Sequence, residues 1–246
     1  MKMNMFGLFN KKKSDTVSLP YTTDIHSHII PGIDDGSPDV EHSVALVKQM
    51  QEWGVKRIIT TPHVTEETFE NTPETITAAY NLLKEALGED APEIIFSAEY
   101  RMDENFLKHV KNDILIPLPG NHILIENSFL QPFWDLKGLI YQLQLKGFNP
   151  ILAHPERYAY YYDEKEIYTD IYNSGCMFQL NWLSLAGYYG KETRNIAYWL
   201  IEKGYVDFLG TDLHNRRHAR AITEFLQTKE YRKLVEKLNL KNDTLK

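Results

Sequence analysis

From residue 20 onward, short apolar runs alternate with longer stretches in which apolar positions recur every three or four residues. The runs are Thr22–His28, Arg57–His63, Ile94–Glu99, His122–Glu126, Pro150–His154, Met177–Asn181 and Asp207–Asp212, and each ends in a polar or charged residue. Successive ends, at 28, 63, 99, 126, 154, 181 and 212, lie 27 to 36 residues apart. That is the length needed by a strand, a helix of a few turns and two loops. Ser37-Pro38 and Thr72-Pro73 each predict an N-cap followed by proline at the first helical position. Val40, Val44 and Val47 then share one helix face. Gly147, Gly175 and Gly204 stand where helices should end. Phe225, Leu226, Leu234 and Leu238 predict one closing amphipathic helix packed on the outside. Seven such units predict an α/β fold, with a closed or nearly closed parallel (β/α)7 TIM-like barrel favoured over an open doubly wound sheet.

Composition adds little to that fold but narrows the function. No compositional break divides the 246 residues, so residues 20–246 are expected to form a single domain behind a flexible tail at 1–19. A formal charge of −7 argues against a nucleic-acid partner bound by broad phosphate neutralisation. One cysteine, Cys176, excludes an intramolecular disulfide framework and a cysteine-rich zinc module. The opening residues place Lys11-Lys12-Lys13 after a short apolar stretch, the reverse of a secretory signal, and no segment reaches the length of a membrane span. A cytoplasmic location is therefore expected.

The candidate chemistry gathers at the ends of the runs. The first holds Asp24-Ile25-His26-Ser27-His28, in which residues two apart share a strand face and both imidazoles can turn to one ion. The others end in His63, Glu99, Glu126, His154 and the segment Asp212-Leu213-His214. In a parallel barrel these ends form one rim, where active sites are built. Five histidines and three carboxylates would converge there, with Asp34 or Asp35 from the loop after the first strand as a further oxygen ligand. So many donors exceed one tetrahedral zinc and suit two or three ions. Imidazole mixed with carboxylate fits manganese, iron or zinc better than calcium. Asp24 is expected to fix an imidazole rather than to ligate. His42, His109 and His122 fall on helix or strand-start patterns and are expected to be ordinary surface or packing histidines.

Together, His26-Ser27-His28, His63, Glu99, Glu126, His154 and Asp212-Leu213-His214 resemble the motifs of the PHP superfamily. The loop Asp34-Asp35-Gly36, the segment Ala153-His154-Pro155-Glu156-Arg157-Tyr158 and Asp212-Leu213-His214-Asn215 narrow the resemblance. They are similar to bacterial manganese-dependent tyrosine-protein phosphatases that regulate capsule and exopolysaccharide synthesis. The resemblance runs from about Tyr21 to Arg220 and implies a distorted barrel with three Mn2+ ions. It implies that His26, His28, Glu99 and Asp212 hold one ion. Glu99 would bridge to a second, shared with Glu126 and His154, and Asp35, His63 and His214 would hold the third. Arg157 and Arg217 correspond to phosphate-binding arginines, although Arg216 stands equally close to the second position because the segment after His214 is shorter than the family pattern. The implied partner is a phosphotyrosine-bearing protein, a tyrosine autokinase.

Elementary chemistry is consistent with these roles. Phosphomonoester hydrolysis needs a hydroxide at neutral pH and neutralisation of a dianion, which metals and a bidentate arginine supply. A cysteine-based mechanism needs an arginine six residues after the thiolate, and that position after Cys176 is Trp182. Cys176 is expected to be a buried small hydrophobe. Tyr158, Tyr160, Tyr161, Tyr162, Tyr188 and Tyr189 are candidates either to border a phosphotyrosine pocket or to pack. The rival readings are a small-molecule PHP phosphoesterase of the histidinol-phosphatase kind and a catalytically silent metal-binding partner domain.

Overall fold

The computed structural model describes residues 18–245. Its strands are β1 (Thr23–Asp24), β2 (Arg57–Thr60), β3 (His63–Val64), β4 (Glu93–Phe96), β5 (Glu99–Arg101), β6 (His122–Glu126), β7 (Asn149–Ala153), β8 (Met177–Asn181) and β9 (Phe208–Gly210). All neighbouring pairs of these strands are parallel, in the orders β1-β2-β4 and β3-β5-β6-β7-β8-β9. β2 and β3 are two parts of the second apolar run, separated at Thr61-Pro62, where proline cannot donate to a ladder. β4 and β5 divide the third run at Ser97-Ala98, without a proline. The seven runs thus lie side by side in chain order, as a parallel sheet forming a half-barrel. The first and last touch at one parallel bridge, Ser27 with Leu213. Two backbone bonds support it, from Asp212 N to His26 O at 2.8 Å and from His28 N to Leu213 O at 3.0 Å.

Both faces of the strands are buried, which explains why the runs read as nearly continuous apolar segments. Ile25, Ile59, Leu124, Ile151 and Phe208 pack together on one side, with Leu245 from the chain's end among them. On the other side Ile58, Ile123, Ile125 and Leu152 meet the helices. The described helices are α1 (Val40–Glu52), α2 (Pro73–Ala86), α3 (Glu104–Asn112), α4 (Leu136–Leu145), α5 (Glu166–Asn173), α6 (Trp182–Leu185), α7 (Lys191–Lys203), α8 (Arg216–Leu226) and α9 (Lys229–Val235).

Thr72 caps α2 ahead of Pro73, as the sequence predicts. The start of α1 does not follow its prediction. Asp39 is its cap, accepting from His42 N, while Ser37 is tied into the preceding loop by backbone bonds with His28 and Gly32. The buried face of α1 is accordingly Ser43, Leu46, Val47 and Met50, with Val40 and Val44 only half-buried. Gly147, Gly175 and Gly204 follow α4, α5 and α7 at φ of 82°, 88° and 72°, a region that favours glycine. The single closing helix is in fact two, because Thr228 interrupts α8 and caps α9 through Tyr231 N. Most of the expected tail lies outside the described residues. Leu19, assigned to it, is buried and donates its N–H to Trp53 O at 2.8 Å.

The N-terminal ends of the strands are covered by the last residues described. Asn242 is fully buried; its Oδ1 accepts from Leu209 N, and its Nδ2 donates to Thr23 O and Leu209 O. Asp243 accepts from the backbone of Thr22 and Thr23, and Arg57 donates to Leu245 O.

Candidate metal centre

At the opposite ends of the strands, alternation decides which side chains enter the site. Leu124 faces the inner cluster, so Glu126, two residues on, projects the same way at the rim. Glu99 and Arg101 share a face of β5 by the same rule, as do Gln179 and Asn181 of β8. His154 breaks it. Ala153 already points inward, and a continued strand would carry His154 outward. A backbone φ of 32° turns its side chain back into the site. Asp212 has a φ of 47° at the corresponding place after β9. Positive φ in residues with a side chain is strained and is retained where surrounding structure enforces it.

All nine expected ligand residues come together. Four sets of their donor atoms lie mutually within 4.8 Å: His28, Asp35, His63 and His214; His26, Glu99 and His154; His26, His28 and Asp212; and His63, Glu99 and Glu126. These sets divide the residues differently from the grouping implied by resemblance, notably in placing His28 beside Asp35 and His63 beside Glu126. His154 Nε2 is 3.0 Å from Glu99 Oε1 and 3.5 Å from Glu126 Oε1, in keeping with that grouping.

The donors converge on a shared space, with short contacts among them. His26 Nε2 and His28 Nε2 are 3.2 Å apart, and lie 3.5 and 3.4 Å from Asp212 Oδ1. Glu99 Oε2 is 3.3, 3.4 and 3.1 Å from nitrogens of His26, His28 and His63, yet this buried oxygen makes no hydrogen bond. The Nδ1 atoms of His63 and His154 are also buried without a partner. Buried polar atoms are normally satisfied. Glu99 Oε2, left without a hydrogen bond amid three imidazole nitrogens, fits a cation at that point.

The electrostatics agree. Burial opposes a charge on His26, but Glu99 and Asp212 outweigh it and raise its pKa to about 9. Burial likewise opposes ionisation of Glu99 and Asp212, and the surrounding histidines hold both well below the usual carboxylate range. Asp35, hydrogen-bonded to His214, is lowered to about 2. The carboxylates are therefore ionised and held by positive charge, a role that divalent ions fill with the histidines neutral.

Around the ligands lies a ring of orienting groups. Asp34, not Asp35, fixes an imidazole: its Oδ2 is 2.8 Å from His28 Nδ1, and it accepts from Gly36 N and His63 N. Gln179 Oε1 holds His26 Nδ1 at 2.7 Å, and Asn181 Nδ2 donates to Asp212 Oδ2 at 2.6 Å. The expectation for Asp24 was wrong in detail. Its carboxylate accepts from Thr211 N, Thr211 Oγ1 and Tyr21 OH and meets no imidazole, so it locks the turn before Asp212.

The expected arginines differ. Arg157 donates to Asp212 Oδ2 at 3.2 Å and borders the donor cluster. It does not pair with Glu156, whose Oε1 instead accepts from Asn181 N. Arg217 lies exposed in the first turn of α8, with its guanidinium 5.4 Å from the Tyr188 ring, and Arg216 is exposed beside it. Sequence reasoning missed Arg101, whose Nε donates to Glu126 Oε2 at 2.9 Å. Its position two residues after Glu99 was the available signal.

Tyr158 and Tyr161 are buried packing residues; the Tyr158 hydroxyl donates to Ala153 O and accepts from Asn127 N. Tyr162 and Tyr189 line a cleft of ≈ 590 Å3 over Arg157. His42, His109 and His122 lie outside the donor sets, and Cys176 is buried, with its thiol pKa pushed up by desolvation.

Comparisons with known proteins agree with this geometry. The chain is 32% identical over 195 residues to the tyrosine-protein phosphatase YwqE of Bacillus subtilis, covering 78% of this chain and 77% of that protein. It is 28% identical over 204 residues to the putative tyrosine-protein phosphatase CapC of Staphylococcus aureus, covering 78% and 76% of the two chains. Among solved structures, a chain from the work on YwqE of Bacillus subtilis and CpsB of Streptococcus pneumoniae, described as unique metal-dependent tyrosine phosphatases, superposes with a TM-score of 0.75. Its sequence identity is 28%, and the match covers 91% of this chain and 93% of that one. The histidinol phosphate phosphatase of Lactococcus lactis superposes with a TM-score of 0.53 at 16% identity, covering 89% and 94%, a likeness of fold alone. A sequence model for capsular polysaccharide synthesis proteins, CpsB/CapC, matches residues 22–244, and the chain belongs to that family.

Proposed function

We propose that this protein is a metal-dependent tyrosine phosphatase that removes phosphate from a tyrosine-bearing protein, a bacterial tyrosine autokinase controlling capsular or extracellular polysaccharide synthesis. The observation that carries the reading is an arginine fork, Arg157, placed against Asp212 at the edge of nine converging metal-ligand side chains. The relatives named as tyrosine-protein phosphatases support it.

His26, His28, Asp35, His63, Glu99, Glu126, His154, Asp212 and His214 are the proposed ligands of three ions. Their mixture of imidazole and carboxylate suits manganese, with iron or zinc as alternatives. When bound, such ions lower the pKa of coordinated water and offset the charge of the phosphoryl oxygens. The chain's own groups supply the rest. Asp34 and Gln179 hold His28 and His26 in one orientation, and Asn181 does so for Asp212. Arg157 grips phosphoryl oxygens through its planar fork, and Arg217, at the outer edge near Tyr188, is the second phosphate-facing arginine. The chain order of the seven runs and the Ser27–Leu213 bridge support a distorted (β/α)7 barrel of the PHP type. No helix among the described residues is long and apolar enough to cross a membrane; we place the protein in the cytoplasm with its kinase substrate.

The test is turnover of a phosphotyrosyl peptide and of histidinol phosphate by the metal-analysed protein, before and after chelation. Metal-dependent release of phosphate from the peptide is expected. Preference for histidinol phosphate would identify a small-molecule phosphatase instead, and metal content without turnover of either would identify a silent binding domain.

A further inference from the structure

The Arg157 side chain is a long flexible arm in a position that demands a fixed plane. Among the described residues it makes one side-chain hydrogen bond, to Asp212 Oδ2, leaving most of its five N–H donors free. Two rings enclose its guanidinium, with Tyr189 centred 4.1 Å and Phe129 4.6 Å away. They come from separate loops, after α6 and after β6. Phe129 also stacks on the His154 imidazole, at 5.7 Å and 19° between planes, and lies 6.0 Å from the Arg101 guanidinium.

The Phe129 loop is itself held. Tyr160 OH donates to Ser128 O at 2.8 Å, and Asn127 Oδ1 accepts from Phe133 N at 2.9 Å. Phe129 nonetheless remains 41% exposed, and both rings line the cleft that opens over Arg157. Phe129 packs on the His154 and Tyr158 rings, and its outer part stays in water above the charged fork. Resting on the phosphatase reading, we propose that Phe129 and Tyr189 form an aromatic clamp that holds the Arg157 fork flat for bidentate capture of the phosphoryl group. They are positioning residues, acting through Arg157.

A guanidinium over an aromatic face gains roughly 0.5–2 kcal/mol, which corresponds to about two- to thirtyfold in affinity. Phe129→Leu and Tyr189→Leu in the metal-loaded protein are each expected to lower kcat/KM for a phosphotyrosyl peptide by about that factor, with metal content unchanged. Phe129→Tyr and Tyr189→Phe keep a ring and should recover most of the loss. In an Arg157→Ala background, Phe129→Leu should cost less than about twofold more, because residues acting through one group are not additive. Losses that instead multiply would overturn the clamp. If the wild-type protein hydrolyses no phosphotyrosyl peptide, the phosphatase reading fails separately. The same variants are then compared by calorimetric binding of inorganic phosphate, where the same non-additive pattern sustains the clamp and multiplying losses reject it.

Discussion

The two ends of the parallel strands are built from similar polar side chains and put them to opposite use. At the N-terminal end, Asn242 spends both ends of its amide on the backbones of Thr23 and Leu209, and Asp243 closes on Thr22 and Thr23. Every one of those groups has a partner. At the C-terminal end, Glu99 Oε2, His63 Nδ1 and His154 Nδ1 are buried with none. A saturated polar network contributes to holding a fold together, whereas an unsaturated one is costly unless something else completes it. The backbone does not divide the same way: His154 and Asp212 carry positive φ at the candidate site, and Asn121 carries it just before β6 at the other end. The candidate site is the place where several buried polar atoms without a partner cluster together.

Metal removal tests the contrast most severely. Chelation should abolish phosphatase activity at the C-terminal end, and manganese should restore it best; full activity in protein shown to be metal-free would refute the site. Next in size is Arg157→Ala. It should keep its metal and lose roughly ten- to a thousandfold in kcat/KM, the scale of one charged donor to a transition state, with Arg157→Lys recovering only part. Wild-type kinetics in a metal-replete Arg157→Ala protein would remove Arg157 from the site.

At the other end, Asn242→Ala should strip partners from Leu209 N, Leu209 O and Thr23 O. Denaturant unfolding should then show a loss of about 3 kcal/mol while kcat per folded molecule stays the same. A fall in kcat at unchanged stability would mean that the two ends are coupled. The smallest effect belongs to Cys176→Ser, for which turnover should change by less than about twofold because no nucleophile is removed. A thousandfold-scale loss in the folded variant would contradict the metal-based chemistry.

How much of this was legible in the sequence follows from what each residue needs. His26 and His28 were readable because strand alternation alone puts them together. Glu99, Glu126 and the Asp212–His214 pair were readable because parallel strands share a rim. His154 was expected at the rim and lies there, but the reason it reaches the donor cluster is a left-handed backbone that no pattern of polar and apolar residues encodes. Asp34 and Asp35 are chemically identical neighbours, and only the turn at Gly36 separates the one that orients His28 from the one among the donors. Gln179 and Asn181 escaped notice because amides are not ligands, although they sit two apart on the one run without a candidate. The start of α1 was misjudged because Ser37 and Asp39 are equally good caps, and the loop from His28 had already claimed Ser37.

The seal formed by Asn242 and Asp243 also has a bearing on biosynthesis. Thr22 and Thr23 are synthesised before their partner at Asp243, which follows 221 and 220 residues later. A nascent chain therefore displays His26 and His28 for most of its synthesis without the carboxylate of Asp212 beside them. Contacts this distant in sequence form slowly, since loop closure must precede any gain from them. A complete set of candidate metal donors cannot exist until elongation has passed His214.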